Sequence, residues 1–172
     1  MEGSDILQTF AEVSIALAGF TSIVAVLGRR AAGDWREVDL FRLWQMLGNS
    51  LGCVLFSFLP LVLHKLRFTE EISWAIASAG LGVFLILRLA SAAREVRQLP
   101  AEQLTEMSSL YFRGLGILGL VVSAVLFLNA VGVTFQREVG PYLLGILYLV
   151  GICAFQFTRL LLVIRSGGPG SA

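Results

Sequence analysis

The sequence predicts an all-α membrane bundle of five transmembrane helices, and three observations predict it. The 172 residues are 56% hydrophobic and only 15% charged, whereas a soluble domain carries about 25% charged residues. With a mean hydropathy of +0.81, the chain lacks the polar surface to cover a globule in water, a need that a bilayer removes. Five apolar runs approach the roughly 20 residues that cross a bilayer. They lie at about 9–27, 43–63, 72–91, 114–133 and 142–162. The basic residues, finally, alternate between the connections in the way an inserted chain requires.

The first run, "AEVSIALAGFTSIVAVLGRR", has Glu12 near its start and Arg29 and Arg30 at its end. A cleavable leader carries positive charge ahead of its apolar core. Here Glu2 and Asp5 precede the core and arginines follow it, so the run reads as a span. Glu12 then falls roughly 5 Å inside the outer boundary at 1.5 Å per residue. The second run contains Pro60 near its far end, which a membrane helix tolerates when neighbours satisfy the freed carbonyl. The third carries Ala75, Ala79 and Gly82 and the fourth Gly116, Gly119 and Ser123. At steps of three and four these read as packing seams. The fifth ends near Arg159.

Short connections place alternate loops on the same side. Ten of the thirteen Lys and Arg residues fall on one side: Arg29, Arg30, Arg36, Arg42, Arg88, Arg94, Arg97, Arg113, Arg159 and Arg165. Lys65, Arg67 and Arg137 fall on the other. The positive-inside rule puts the N-terminus outside and the C-terminus in the cytoplasm. Trp35, Trp44 and Tyr111 then stand at inner helix ends and Trp74 and Tyr142 at outer ones, as aromatic belts. The longest connection, "REVRQLPAEQLTEMSS", has Pro100 where a helix starts, and Leu104, Met107 and Tyr111 recur at helical spacing. It reads as a short amphipathic piece on the inner surface, or as an extension of the fourth span. Residues 1–166 form one membrane domain and 167–172, "GGPGSA", a flexible tail. An odd number of spans argues against two equal repeats of the kind that build many transporters.

Function is sought at polar groups inside the spans, where they are costly. The second span carries Gln45, Asn49, Gly52, Cys53, Ser57 and Pro60 at steps of three to four, and Gly48 and Gly52 form a G-x-x-x-G. This face lines a pore or cavity, or it joins helices. The first span sets Glu12, Ala16, Gly19 and Ser22 on one face as a close-packed seam with a carboxylate at its outer end. Glu12 is an ion-coordinating candidate or an interfacial anchor; Asn129 and His64 fall at similar depth. Arg42, Arg88 and Arg159 gather at the inner level and are candidates for lipid headgroups, by snorkelling or in an anionic-lipid pocket.

Catalytic patterns are absent. There is no HExxH, GxSxG or P-loop, and the one histidine leaves no metal set. Cys53 and Cys153 lie in separate apolar runs, so neither a disulfide framework nor a CxxC site is expected. A net charge of +1 implies no nucleic-acid partner. The expectation is a protein that is not an enzyme, without catalytic residues, metal or cofactor.

"LQTFAEVSIALAGFTSIVAVLGRR" followed by "GDWREVDLFRLWQMLGNSLGCVLFSFLPL" resembles a group of small bacterial polytopic inner-membrane proteins. The resemblance covers roughly the first 63 residues, with an acid-led start, an "AGF" middle, a basic end and a Trp–Asp–Arg entry to span two. It implies a multi-pass protein of the bacterial cytoplasmic membrane and no activity. "SIALAGFTSIVAV" also resembles the pore-lining first helix of Orai calcium channels. That helix has its acid at the C-terminal end, where Leu27 and Gly28 stand here, and it runs the other way.

Two functions follow as expectations. One is an oligomeric ion channel or pore, with Glu12, Ser22, Gln45, Asn49, Ser57 and Asn129 as lining candidates. The other is a non-catalytic scaffold, an accessory subunit of a larger complex, or a lipid-interacting structural protein. The expected partners are membrane lipids, further copies of the chain and a second membrane protein.

Overall fold

A computed structural model describes residues 3–32, 37–98 and 109–166. Its helices are α1 (Ser4–Ala32), α2 (Glu37–Lys65), α3 (Glu70–Gln98), α4 (Ser109–Val131) and α5 (Val139–Ser166). All five are long and apolar enough to cross a membrane, and no strand occurs among the described residues. The helices outrun the apolar runs because backbone hydrogen bonding continues into the polar flanks. Residues 99–108, Trp35 and the 167–172 tail lie outside the described residues, and with them most of the expected amphipathic piece. The fourth span does extend back to Ser109.

α2, α3, α4 and α5 pack in a ring, each against the next, and α5 closes it against α2. α1 lies outside this ring against α2 and α5. The core between them contains Leu81, Leu85, Leu126, Ile146 and Leu149, each 1% exposed or less. Two short turns, at 66–69 and 132–138, define one end of the bundle, called here the turn end; the opposite end is the linker end. The first turn closes α2 with Arg67 N–H donating to His64 O at 3.0 Å and Phe68 N–H to Leu63 O at 3.3 Å. This 6→1, 5→2 pattern needs a left-handed residue, normally glycine, and Arg67 occupies it at φ 71°.

Two residues expected in an outer aromatic belt are core residues instead. Trp74 is 3% exposed and Tyr142 is fully buried, with ring centroids 5.4 Å apart. The cause is Pro60. Having no N–H, Pro60 leaves the carbonyl four residues earlier, Phe56 O, without its helical donor. The Tyr142 hydroxyl crosses from α5 to donate to Phe56 O, and Trp74 packs against the ring that brings it there.

Asn129 fastens the second turn. Its amide donates to Ser78 Oγ and Glu138 O, both at 3.0 Å, and its carbonyl accepts from Glu138 N–H at 3.0 Å. The side chain is fully buried, so this polar group joins α3, α4 and the start of α5.

Candidate functional site

The polar face of α2 is buried throughout: Gln45, Asn49, Cys53 and Ser57 are each 5% exposed or less. It does not converge on one place. A step of four residues turns the helix about 40° beyond a full circle, so the stripe from 45 to 57 winds through roughly 120°. Gln45 and Asn49 meet α3 through Arg88. Cys53 stands with Ser57 and with Ser14 of α1, the two hydroxyls set about its thiol. Between these levels Ser50 Oγ donates to Cys153 Sγ at 3.4 Å, and that thiol donates to Met46 O at 3.5 Å, tying α2 to α5.

Arg88 is the centre of the first group. Its Nε donates to Asn49 Oδ1 at 3.0 Å, and its Nη2 donates to Gln45 Oε1 at 2.6 Å and to Gln45 O at 3.2 Å. The guanidinium therefore reaches sideways to α2 rather than out along its own helix. Gly48 makes the room. A Cβ at Gly48 would stand 2.8 Å from Nη2 and 2.9 Å from Cζ and Nη1. The G-x-x-x-G thus seats side chains of α3, since Gly52 faces the Phe84 ring in the same way. All three acceptors of Arg88 are neutral oxygens. Among the described residues Glu95, two turns further along α3, is the acid whose field reaches it, and it forms no ion pair with it. The two N–H groups of Nη1 have no partner among the described residues.

The guanidinium opens on a cavity of about 250 Å³ between α2, α3, α4 and α5. Leu85, Leu89, Phe112, Leu115 and Ile152 give it apolar walls, and Gln45, Asn49 and Gln156 complete the polar side. The Tyr148 hydroxyl, also in the lining, donates to Leu115 O at 2.8 Å. Gly116 lines the space too, and a Cβ there would meet nothing within 4 Å. The arrangement offers recognition of negative charge beside an apolar volume, which is the composition of a small-molecule pocket. Among the described residues no three His, Cys, Asp or Glu side chains gather as a metal site.

The remaining candidates lie elsewhere. Arg42 is buried. Arg159 is held over the Phe155 ring, 5.8 Å from its centroid. Asn129 serves the second turn. Ser22 is exposed and its hydroxyl bonds back to Ala18 O. α1 buries Leu7, Ala11, Ser14 and Thr21, so the seam through Glu12, Ala16, Gly19 and Ser22 faces outward instead of into a packed contact. Glu12 lies on this outward face in the first half of α1, which begins at Ser4. Its Oε1 accepts from Gln8 Nε2 at 3.0 Å.

No family model, curated protein or solved structure matches the chain.

Proposed function

We propose that this chain is a non-catalytic binding protein of the bacterial cytoplasmic membrane. Its ligand is an amphiphile whose anionic head pairs with Arg88 and whose apolar part fills the adjoining cavity. One observation carries the reading: a guanidinium fixed by Asn49 and Gln45, with no ion-paired acid among the described residues, opens on apolar walls. A half-buried cation set against apolar walls favours a counter-charge. The charge asymmetry supports an orientation with the linker end, and this pocket, toward the cytoplasm.

The test uses the full chain in nanodiscs of phosphatidylcholine, titrated with oleate in one arm and phosphatidylglycerol in the other. The arms separate a carboxylate head from a phosphate head. One equivalent is expected to bind. Hydrogen bonds to charged groups contribute about 1.5–3 kcal/mol, so Arg88→Met should weaken binding by roughly ten- to a hundredfold. Gly116→Leu should fill the cavity and abolish binding while the helical spectrum stays unchanged. Equal affinity in all three proteins would remove the proposal.

A second reading is an ion pore assembled from several copies. The outward position of Glu12 on α1 favours it. Against conduction along α2 stands the use of Gln45 and Asn49 as ligands to a fixed cation inside a single chain.

A further inference from the structure

The cavity beside Arg88 has a definite capacity and one open side. A cavity of about 150 Å³ admits a benzene ring, so about 250 Å³ holds roughly ten carbon atoms. Its length agrees. The lining runs along α3 from Leu85 to Ala93, about 12 Å at 1.5 Å per residue, and an extended chain advances roughly 1.2 Å per bond. Toward the turn end Leu85 and Leu149 merge into the packed core. The open side is the seam between α3 and α4. Gly82 of α3 lies against the Phe127 ring of α4, and Leu89 comes within 3.0 Å of where a Cβ on Gly119 would stand. Counting onward along α3 and back along α4 sets Ala93 opposite Gly116. Both line the cavity and both are small, and a Cβ at Gly116 would meet nothing within 4 Å. The seam that side chains fill at two levels is thus unfilled at the third. Leu120, one turn from Gly116 on the same side of α4, also lines the cavity and is 58% exposed. There the cavity wall continues onto the outer surface of the bundle.

We propose that this pocket seats one chain of its ligand, with about ten carbons inside the bundle, and that a longer chain leaves between Ala93 and Gly116 through the seam of α3 and α4. With Arg88 as the partner of the anionic head, the reading on which this rests, the course of the chain follows. Asn49 and Gln45 hold the guanidinium on the α2 side of the cavity. The gap lies on the α4 side, so a chain anchored at Arg88 crosses the cavity to reach it. A second chain of equal length needs a second such volume, which this cavity does not have. Inside, each carbon fills space that is otherwise empty, and the cavity cost it relieves makes it worth roughly threefold in affinity. Outside, each further carbon stands among lipid tails, which are as apolar as the cavity walls, and adds nothing to an affinity measured against the bilayer. Chain length is therefore discriminated up to about ten carbons and ignored beyond.

The test titrates the full chain in phosphatidylcholine nanodiscs with a series of straight-chain carboxylates: hexanoate, octanoate, decanoate, laurate and palmitate. Dissociation constants from calorimetry are expressed per mole fraction in the bilayer, which removes general partitioning. Affinity is expected to rise roughly threefold per carbon as far as decanoate and to stay level from there to palmitate. Ala93→Phe narrows the gap from α3, and Leu120→Trp narrows it from α4. Each should lower the ratio of palmitate to decanoate affinity roughly tenfold, the scale of overpacking a filled space. Affinity with no break near decanoate, or a ratio that neither variant moves, overturns the proposal while leaving the head site standing. Arg88→Met that binds the whole series as tightly as the native chain removes the head site itself, and the proposal with it.

Discussion

Replacing Tyr142 by Phe removes one oxygen and leaves the ring where it packs, against Trp74. What changes is the Phe56 carbonyl, which lost its helical donor to Pro60 and accepts from the Tyr142 hydroxyl instead. A buried acceptor left unsatisfied costs about 1–3 kcal/mol. Hydrogen bonds inside membrane proteins have measured nearer 0.6, with a maximum of about 1.7. The expected loss is therefore about 1–1.5 kcal/mol. The same substitution made on Pro60→Ala should cost less than about 0.5 kcal/mol, because the N–H at residue 60 restores the bond to the carbonyl four residues back. The four proteins of this cycle are compared by reversible unfolding in mixed micelles with increasing dodecyl sulfate, followed by far-ultraviolet circular dichroism. A coupling of about 1 kcal/mol between positions 60 and 142 is the expected result. Additivity within about 0.3 kcal/mol, the behaviour of independent sites, would refute the assignment of Tyr142 as the donor that replaces the missing proline N–H.

Asn129→Leu keeps side-chain volume but strips the donors and acceptor that serve Ser78 and Glu138. It should destabilise by about 2–3 kcal/mol and speed hydrogen exchange at the Glu138 amide; unchanged exchange there would contradict its role in the turn. A reporter fused at the C-terminus should read cytoplasmic and a tag at the N-terminus external, and two termini on one side would contradict five crossings.

The helices were legible because apolar length is a direct requirement of crossing a bilayer. Which face each helix buries was legible only in part. In α2 the polar face is the buried one, as the cost of amides against lipid requires. In α1 the same argument selects the wrong side. Leu7, Ala11, Ser14 and Thr21 repeat at helical spacing as regularly as Glu12, Ala16, Gly19 and Ser22, and small residues occur on both faces. Lipid tails are as apolar as a core, so hydrophobic periodicity cannot separate the two inside a membrane. Helix length was underread for a related reason: counting from the first apolar residue omits the polar first turns, and Ser4 rather than Thr9 begins α1.

The Arg88 site was hidden for want of a register, yet the sequence contains one. Gly48 and Arg88 both lie twenty residues from Phe68, Gly52 and Phe84 both sixteen, and Phe56 and Gly80 both twelve. These are the pairs in contact. A tight turn makes α2 and α3 a helical hairpin whose opposite positions are found by counting outward from the turn, as in a β-hairpin. At each of these levels a glycine on one helix faces a large side chain on the other. An arginine opposite Gly48 is thereby seated on α2 beside Gln45 and Asn49. The same count fails for α4. Its connection to α3 is long and lies partly outside the described residues, so nothing in the sequence fixes which residues of α4 stand level with Arg88. Phe112, Leu115 and Gly116 do so, and the open space at Gly116 turns a half-buried arginine into a pocket. The charged half of the site follows from local geometry, and the cavity follows from a helix whose register only the folded bundle sets.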